Sequence, residues 1–239
     1  LVMYGEIRNT AGGTPVRMTT GTLNWTVFNT NGAAVPLTVT LVLRHAQLNH
    51  PGQEIVSITA DHPRHRYTYA EAFARSAQLA NALARMALAP DARIATLAWN
   101  DFRHLELFYA VACSGRILHT VNPRLLPEQI AWIINDAGAT LLFAAPEFAP
   151  LLAKIAPHLA HVKTVVYMTG AGHLPAASPV PLLAEAHCYE QLLAGEPREF
   201  SWPNLDERTA NSLCYTSGTT GHPKGVLYSH RSTVLHAMA

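Results

Sequence analysis

The sequence predicts an α/β fold in which βαβ units are layered around a mostly parallel sheet. Three observations predict it. From Arg93 to Met168, short apolar runs of strand length alternate with longer stretches whose apolar residues recur at helical spacing. The junctions carry start and stop signals, such as Asn100-Asp101, Gly115, Pro127-Glu128 and Gly138. The chain has 239 residues, 49% of them hydrophobic, which is enough to bury a sizeable core. Strand and helix in repeated alternation imply crossover connections, and so parallel strands with helices on both faces.

Residues 1–33 are rich in Thr, Asn and Gly, with weak alternation at Leu23, Trp25 and Val27, and they start with Leu rather than Met. They form an unassigned polar lead, and three readings stay open: a disordered segment, an artefact of expression or a mistaken gene start. From Val35 the pattern changes. Val39, Leu41, Val42, Leu43 and Ala46 can line one helix that Pro51-Gly52 ends. Glu54 to Thr59 reads as a strand and Asp61 to Arg66 as a polar turn, with His62 and His65 as solvated loop residues. Thr68 and Glu71 form a capping box, since hydroxyl and carboxylate can each satisfy a free N–H at a helix start. That helix is expected to run through Phe73, Ala77, Ala80, Leu83, Ala84 and Ala87.

Arg93 to Trp99 is then a strand. Asn100-Asp101 caps a helix with Leu105, Phe108, Tyr109 and Ala112 on its apolar side. Ile117 to Val121 is a strand, followed by a helix from Pro127 that buries Ile130, Ile133, Ile134 and Ala137. Thr140 to Ala144 is a strand, Phe148 to Leu159 a helix and Lys163 to Met168 a strand. Thr169 to Pro181, rich in Gly, Ala and Pro, is the expected seam between subdomains. Leu182 to Leu193 reads as a short helix and Gly195 to Arg208 as irregular chain. Ser212 to Tyr215 and Val226 to Tyr228 read as two short strands, and Ser229 caps a last helix near His230.

Charge and cysteine usage exclude several classes. The formal net charge is +1 with no basic block, which argues against nucleic acid as the main partner. No apolar run reaches bilayer-spanning length, and no apolar signal region follows Leu1 to Gly5. Cys113, Cys188 and Cys214 are odd in number and far apart, with neither zinc spacing nor a disulfide framework. A reducing cytoplasm is the expected setting and no metal ligand set is assigned. Cys214, in an apolar strand, is expected to be an inert core residue. Asn122 and Arg124 follow a strand, where α/β sheets often place ligands, but Asn-Pro also signals a plain turn, which is the preferred reading. His230 either neighbours the substrate or only sits in the first turn of a helix, and the second is the preferred reading because nothing in the sequence supplies it a partner.

The stretch that concentrates chemistry is Tyr215-Thr216-Ser217-Gly218-Thr219-Thr220-Gly221-His222-Pro223-Lys224-Gly225, a tight loop between two strands. Glycines let backbone N–H groups approach a ligand closely. Hydroxyls add donors and Lys224 adds a positive charge, a combination that suits phosphate oxygens. It is not a Walker A loop, because Lys224 follows Pro223 and precedes Gly225. The plain alternative, a polar hairpin loop, needs only one or two special residues.

This run resembles the signature phosphate loop of adenylate-forming (AMP-binding) enzymes, the superfamily of acyl-CoA synthetases, luciferases and peptide adenylation domains. The likeness extends from about Val35 to the end, through Tyr67-Thr68-Tyr69, Asn100, Glu106 and His119 to Ile130. The stretch Asn122-Pro123-Arg124-Leu125, with Glu207 to Ala210 and Val226 to Thr233, is most similar to medium- and long-chain fatty acyl-CoA and methylthiopropionate-CoA ligases. Departures are Pro90-Asp91 in place of Gly-Asp and Arg116 in place of a small residue after Gly115.

The resemblance implies ATP-dependent activation of a carboxylic acid, expected to be fatty, to an acyl-adenylate, then transfer to the thiol of coenzyme A. It implies that Thr216, Ser217, Gly218, Thr219, Thr220 and Gly221 cradle the ATP phosphates, with Lys224 both binding and catalytic as pyrophosphate leaves. It also implies that residues 34–239 are the N-terminal part of the family's large domain, truncated. The magnesium ligands, the adenine contacts, most of the acyl pocket and the small C-terminal domain are then absent, and the chain is expected to be inactive alone. A non-catalytic phosphate-binding module, or an adenylating enzyme with another acid or thiol, is the alternative.

Overall fold

The structure, a computed structural model, describes residues 27–28, 34–176, 178–216 and 223–238. Two short strands, β1 (Val27–Phe28) and β2 (Ala34–Val35), pair antiparallel. The remaining residues of the polar lead lie outside the described residues. Helix α1 (Val39–Asn49) follows, then the hairpin of β3 (Glu54–Ser57) and β4 (His65–Thr68). Helix α2 (Tyr69–Arg85) starts on the expected capping box. Glu71 donates its N–H to Thr68 Oγ1 at 3.3 Å, and Thr68 donates its N–H to Glu71 Oε2 at 2.7 Å.

The alternating region follows as β5 (Arg93–Leu97), α3 (Phe102–Cys113), β6 (Ile117–Thr120), α4 (Pro127–Asp136), β7 (Leu141–Ala144), α5 (Ala149–Ile155) and β8 (Thr164–Tyr167). Then come α6 (Pro181–Ala184), β9 (His187–Cys188), α7 (Tyr189–Leu193), β10 (Ala210–Thr216), β11 (Lys224–Ser229) and α8 (His230–Met238). Asp101 Oδ1 accepts the N–H of His104 at 2.8 Å and so caps α3, and Ser229 Oγ accepts that of Ser232 at 3.1 Å and caps α8.

The main sheet has seven strands in the order β11-β10-β6-β5-β7-β8-β9, and every neighbouring pair is parallel except β10 with β11. One face packs Leu97, Leu142, Ala144 and Val165 against Ile130, Ile134, Leu152 and Leu183 of α4, α5 and α6. The other packs Ile94, Leu118, Phe143 and Val166 against Leu83, Leu107, Val111 and Tyr189 of α2, α3 and α7. Helix α1 adds an outer layer, with Val39 and Leu43 against Phe73 and Cys113. The α/β class and the mostly parallel sheet therefore stand as expected. Among the described residues no helix is long and apolar enough to cross a membrane.

Several expectations are corrected. Helix α2 stops at Arg85, and Ala87 turns the chain with φ 50° instead of extending it, while Ala84 is exposed. Helix α3 is sealed on more than one side: Arg103, Glu106, Leu107 and Val111 are all buried, because α3 lies between the sheet and the layer of α1 and α2. The expected helix from Phe148 to Leu159 is three pieces, with 3-10 turns at Pro146–Phe148 and Ala156–His158 flanking α5. Pro157 lacks the N–H that a continuous helix needs there. Leu182 to Leu193 is not one helix, since β9 separates α6 from α7. Thr169 to Pro181 marks no break in the sheet, because the chain rejoins it as β9 beside β8.

Candidate functional site

The phosphate-loop stretch is the turn of the β10–β11 hairpin. Thr216 and Lys224 are cross-strand partners, the last pair of the ladder before the turn. The Thr216 hydroxyl points at the Lys224 carbonyl, 3.5 Å away. Lys224 is exposed and forms no ion pair among the described residues. Ser217, Gly218, Thr219, Thr220 and Gly221, and with them His222, lie outside the described residues. Of the expected site residues, the structure therefore places Thr216 and Lys224, and it brings them together.

Topology fixes where this turn sits. β10 runs parallel to β6, and β6 to β5, so Thr216 lies at the carboxyl edge of the sheet. Within the order β6-β5-β7 the chain leaves β5 along α3 on one face and returns to β7 along α4 on the other. Ligands in open α/β sheets bind at that edge, next to such a reversal. A cleft of about 390 Å³ opens there, lined by Trp99, Asn100, Thr120, Asn122, Cys214 and Tyr215 among others. Trp99 is 44% exposed, and the Arg124 guanidinium lies 5.5 Å from its ring centroid. Neither Trp99 nor this stacking was foreseen in the sequence, where the only signal was an aromatic residue at the end of the strand expected over Arg93 to Trp99.

The base of the hairpin is held by Tyr215. Its hydroxyl donates to Asp136 Oδ2 on α4 at 2.6 Å. Burial, and then that carboxylate, push its pKa upward, so the phenol keeps its proton. Its ring covers Gly225 on the neighbouring strand, where an added Cβ would stand 3.1 Å from Tyr215 Cζ. Beneath it lies His119, fully buried, with ring centroids 5.1 Å apart. Neither nitrogen of His119 has a hydrogen-bond partner, and burial, then the Arg93 charge, lower its pKa to about 4.

Other sequence expectations resolve here. Asn122 Oδ1 accepts the N–H of Arg124 at 3.0 Å, which is the plain turn. Cys214 is half-buried rather than core, with Sγ 3.3 Å from Thr120 Oγ1. His230 does have a partner: it is fully buried, and its Nδ1 accepts the N–H of Val39 at 3.1 Å. Burial lowers its pKa to about 4. His65 is not a solvated loop residue; it stacks on Phe102 at 3.8 Å between centroids, and burial lowers its pKa. Arg116 is accommodated, 8% exposed, with one guanidinium N–H on Ser114 Oγ at 2.9 Å.

A triphosphate fits the chemistry of this edge, where an exposed cation and a hydroxyl flank the turn. Among the described residues no group of three His, Cys, Asp or Glu could hold a metal ion. The nearby carboxylate, Asp136, is engaged by Tyr215.

The chain is 47% identical over 204 residues to 3-methylmercaptopropionyl-CoA ligase of Ruegeria lacuscaerulensis, an alignment covering 85% of this chain and 37% of that protein. It is 44% identical over 202 residues to medium-chain-fatty-acid–CoA ligase of Ectopseudomonas oleovorans, covering 84% of this chain and again 37% of the relative. The chain thus spans little more than a third of these relatives' length. The crystal structure of an anthranilate CoA ligase in complex with anthranoyl-AMP superposes with a TM-score of 0.72 at 22% identity, over 85% of this chain and 37% of the other, a likeness of fold. The family described as AMP-binding enzyme matches residues 43–239, and the chain belongs to that family.

Proposed function

We propose that this chain supplies the phosphate-binding part of an ATP-dependent acid–CoA ligase, and that residues 34–239 are a portion of its large domain. The observation that carries the reading is the cross-strand pair of Thr216 and Lys224 at the carboxyl edge. Thr216, Ser217, Gly218, Thr219, Thr220 and Gly221 donate N–H and hydroxyl groups to the ATP phosphates. Lys224 stands at the exit of the turn, where its charge meets the oxygens that gain negative charge as pyrophosphate departs. The carboxylate substrate attacks the α-phosphate, pyrophosphate leaves, and the acyl-adenylate passes its acyl group to the coenzyme A thiol with release of AMP. Magnesium, where bound, would neutralise phosphate charge, and its ligands come from outside the described residues. The acid is an unbranched apolar one, by analogy with relatives named for 3-methylmercaptopropionyl and medium-chain fatty acyl groups.

ATP–pyrophosphate exchange on the intact protein carrying this chain, with acetate, 3-methylmercaptopropionate, octanoate and palmitate in turn, tests the reading. Exchange with one of the middle two acids is expected. Lys224→Ala should slow that exchange about 100-fold, the scale of losing one preorganised charge-stabilising group. Exchange at the wild-type rate in Lys224→Ala would remove the phosphate role of the loop.

A further inference from the structure

We infer that Tyr215 and Asp136 form a positioning pair that sets the phosphate loop for nucleotide, an inference that rests on the phosphate role proposed above for that loop. Tyr215 directly precedes Thr216, so its side chain governs the residue from which the turn departs. It contacts three elements at once. Its backbone belongs to β10, its ring lies over Gly225 of β11, and its hydroxyl reaches Asp136 near the end of α4 at 2.6 Å. Gly225 in turn directly follows Lys224. One side chain therefore fixes both strands one residue below the turn and ties them to a helix that packs in the main core.

The arrangement leaves little slack. The ring lies so close over Gly225 that an added Cβ there would stand 3.1 Å from its Cζ, and His119 and the cluster containing Leu213 pack against it from within the sheet. Trp132 of α4 meets the ring edge-on at 6.2 Å between centroids. The Asp136 hydrogen bond holds the ring at its hydroxyl end, and the bond is at the surface, where removing it opens no cavity. Its loss therefore loosens the departure of the loop without removing a group that touches nucleotide. Preorganised donors bind because their ordering cost is met before the ligand arrives, so a looser base weakens nucleotide binding.

The experiment compares ATP dissociation constants of the intact protein, well below its unfolding temperature, for wild type, Tyr215→Phe, Asp136→Ala, the double variant, Asp136→Asn and Lys224→Ala, with thermal unfolding run alongside. Tyr215→Phe and Asp136→Ala should each weaken ATP by about three- to tenfold, the scale of one hydrogen bond. The double variant should be no weaker than either single one, and Asp136→Asn, which keeps an acceptor oxygen, should restore binding to within about twofold. If Lys224→Ala weakens ATP while either Tyr215→Phe or Asp136→Ala binds like wild type, the pair has no positioning role and the phosphate loop stands. If Lys224→Ala itself binds ATP like wild type, the phosphate role fails and the positioning pair fails with it.

Discussion

Arg103 is a full positive charge with no solvent exposure, and its surroundings explain how that is tolerated. Its guanidinium forks onto both carboxylate oxygens of Asp61 at 3.0 and 2.8 Å, donates from Nε to Glu190 at 2.8 Å, and reaches the Met168 carbonyl at 3.2 Å. Phe102 lies under it at 4.5 Å. Arg75 bridges Glu190 to the fully buried Glu106, which also accepts the Tyr189 hydroxyl at 2.7 Å. Burial alone would raise the Asp61 pKa, but donation from Arg103, Thr59 and Gly170 outweighs it and holds the group well below the usual carboxylate range. Such a network is costly to form and more costly to break. Arg103→Met should destabilise the fold by about 3–5 kcal/mol, read as a lower midpoint in urea unfolding, because Asp61 is left buried without its main partner. An unchanged midpoint would show the network to be neutral. None of this was legible in sequence, because Arg103 is separated from Asp61 by 42 residues and from Glu190 by 87. A charged residue at a core position reads as a surface residue until its partners are known.

Local signals decided how well each element could be read. The start of α2 was legible because Thr68 and Glu71 carry the whole capping motif within four residues. Its end was not. Alanine favours helix, so Ala87 was read as continuing it, yet Ala87 takes the left-handed turn that usually falls to glycine. That conformation is costly for a residue with a Cβ. Ala87→Gly should therefore stabilise the fold by about 0.5–1 kcal/mol, seen as a raised melting temperature, and a lower melting temperature would contradict it. The split of the expected Leu182–Leu193 helix had no local signal, since β9 is two residues long and forms only by pairing with β8. The β10–β11 hairpin was legible from the turn-forming residues between its strands. Its anchor was not, because Asp136 lies 79 residues before Tyr215.

For the molecule as a whole, alternation in sequence was enough to give a parallel sheet, but not the order of its strands, which crossovers on opposite faces decide. The assembled core also sets a pH response. His119 and His230 are fully buried with pKa values near 4, against about 6.5 for an unfolded histidine. Between those values the unfolded chain takes up protons that the native state refuses, so stability falls as pH drops from about 6.5 to about 4. Each histidine contributes a loss of up to about 3 kcal/mol, complete near pH 4. Below that, Asp61 continues the decline, since its stabilisation is lost as pH falls through its depressed native pKa. Urea midpoints measured from pH 7 to 4 should show the loss, and His119→Leu should flatten part of it. A flat profile in the wild type would mean that both histidines protonate freely in the native state. The Arg103 network carries one further consequence, in time rather than in energy. It joins the turn before β4, the start of α3, the chain after β8 and helix α7, four stretches that synthesis delivers far apart. A guanidinium can leave water only when all its acceptors have arrived, so this junction closes late in folding. An interaction made late is absent from the transition state, and it governs how long the native protein lasts rather than how fast it forms.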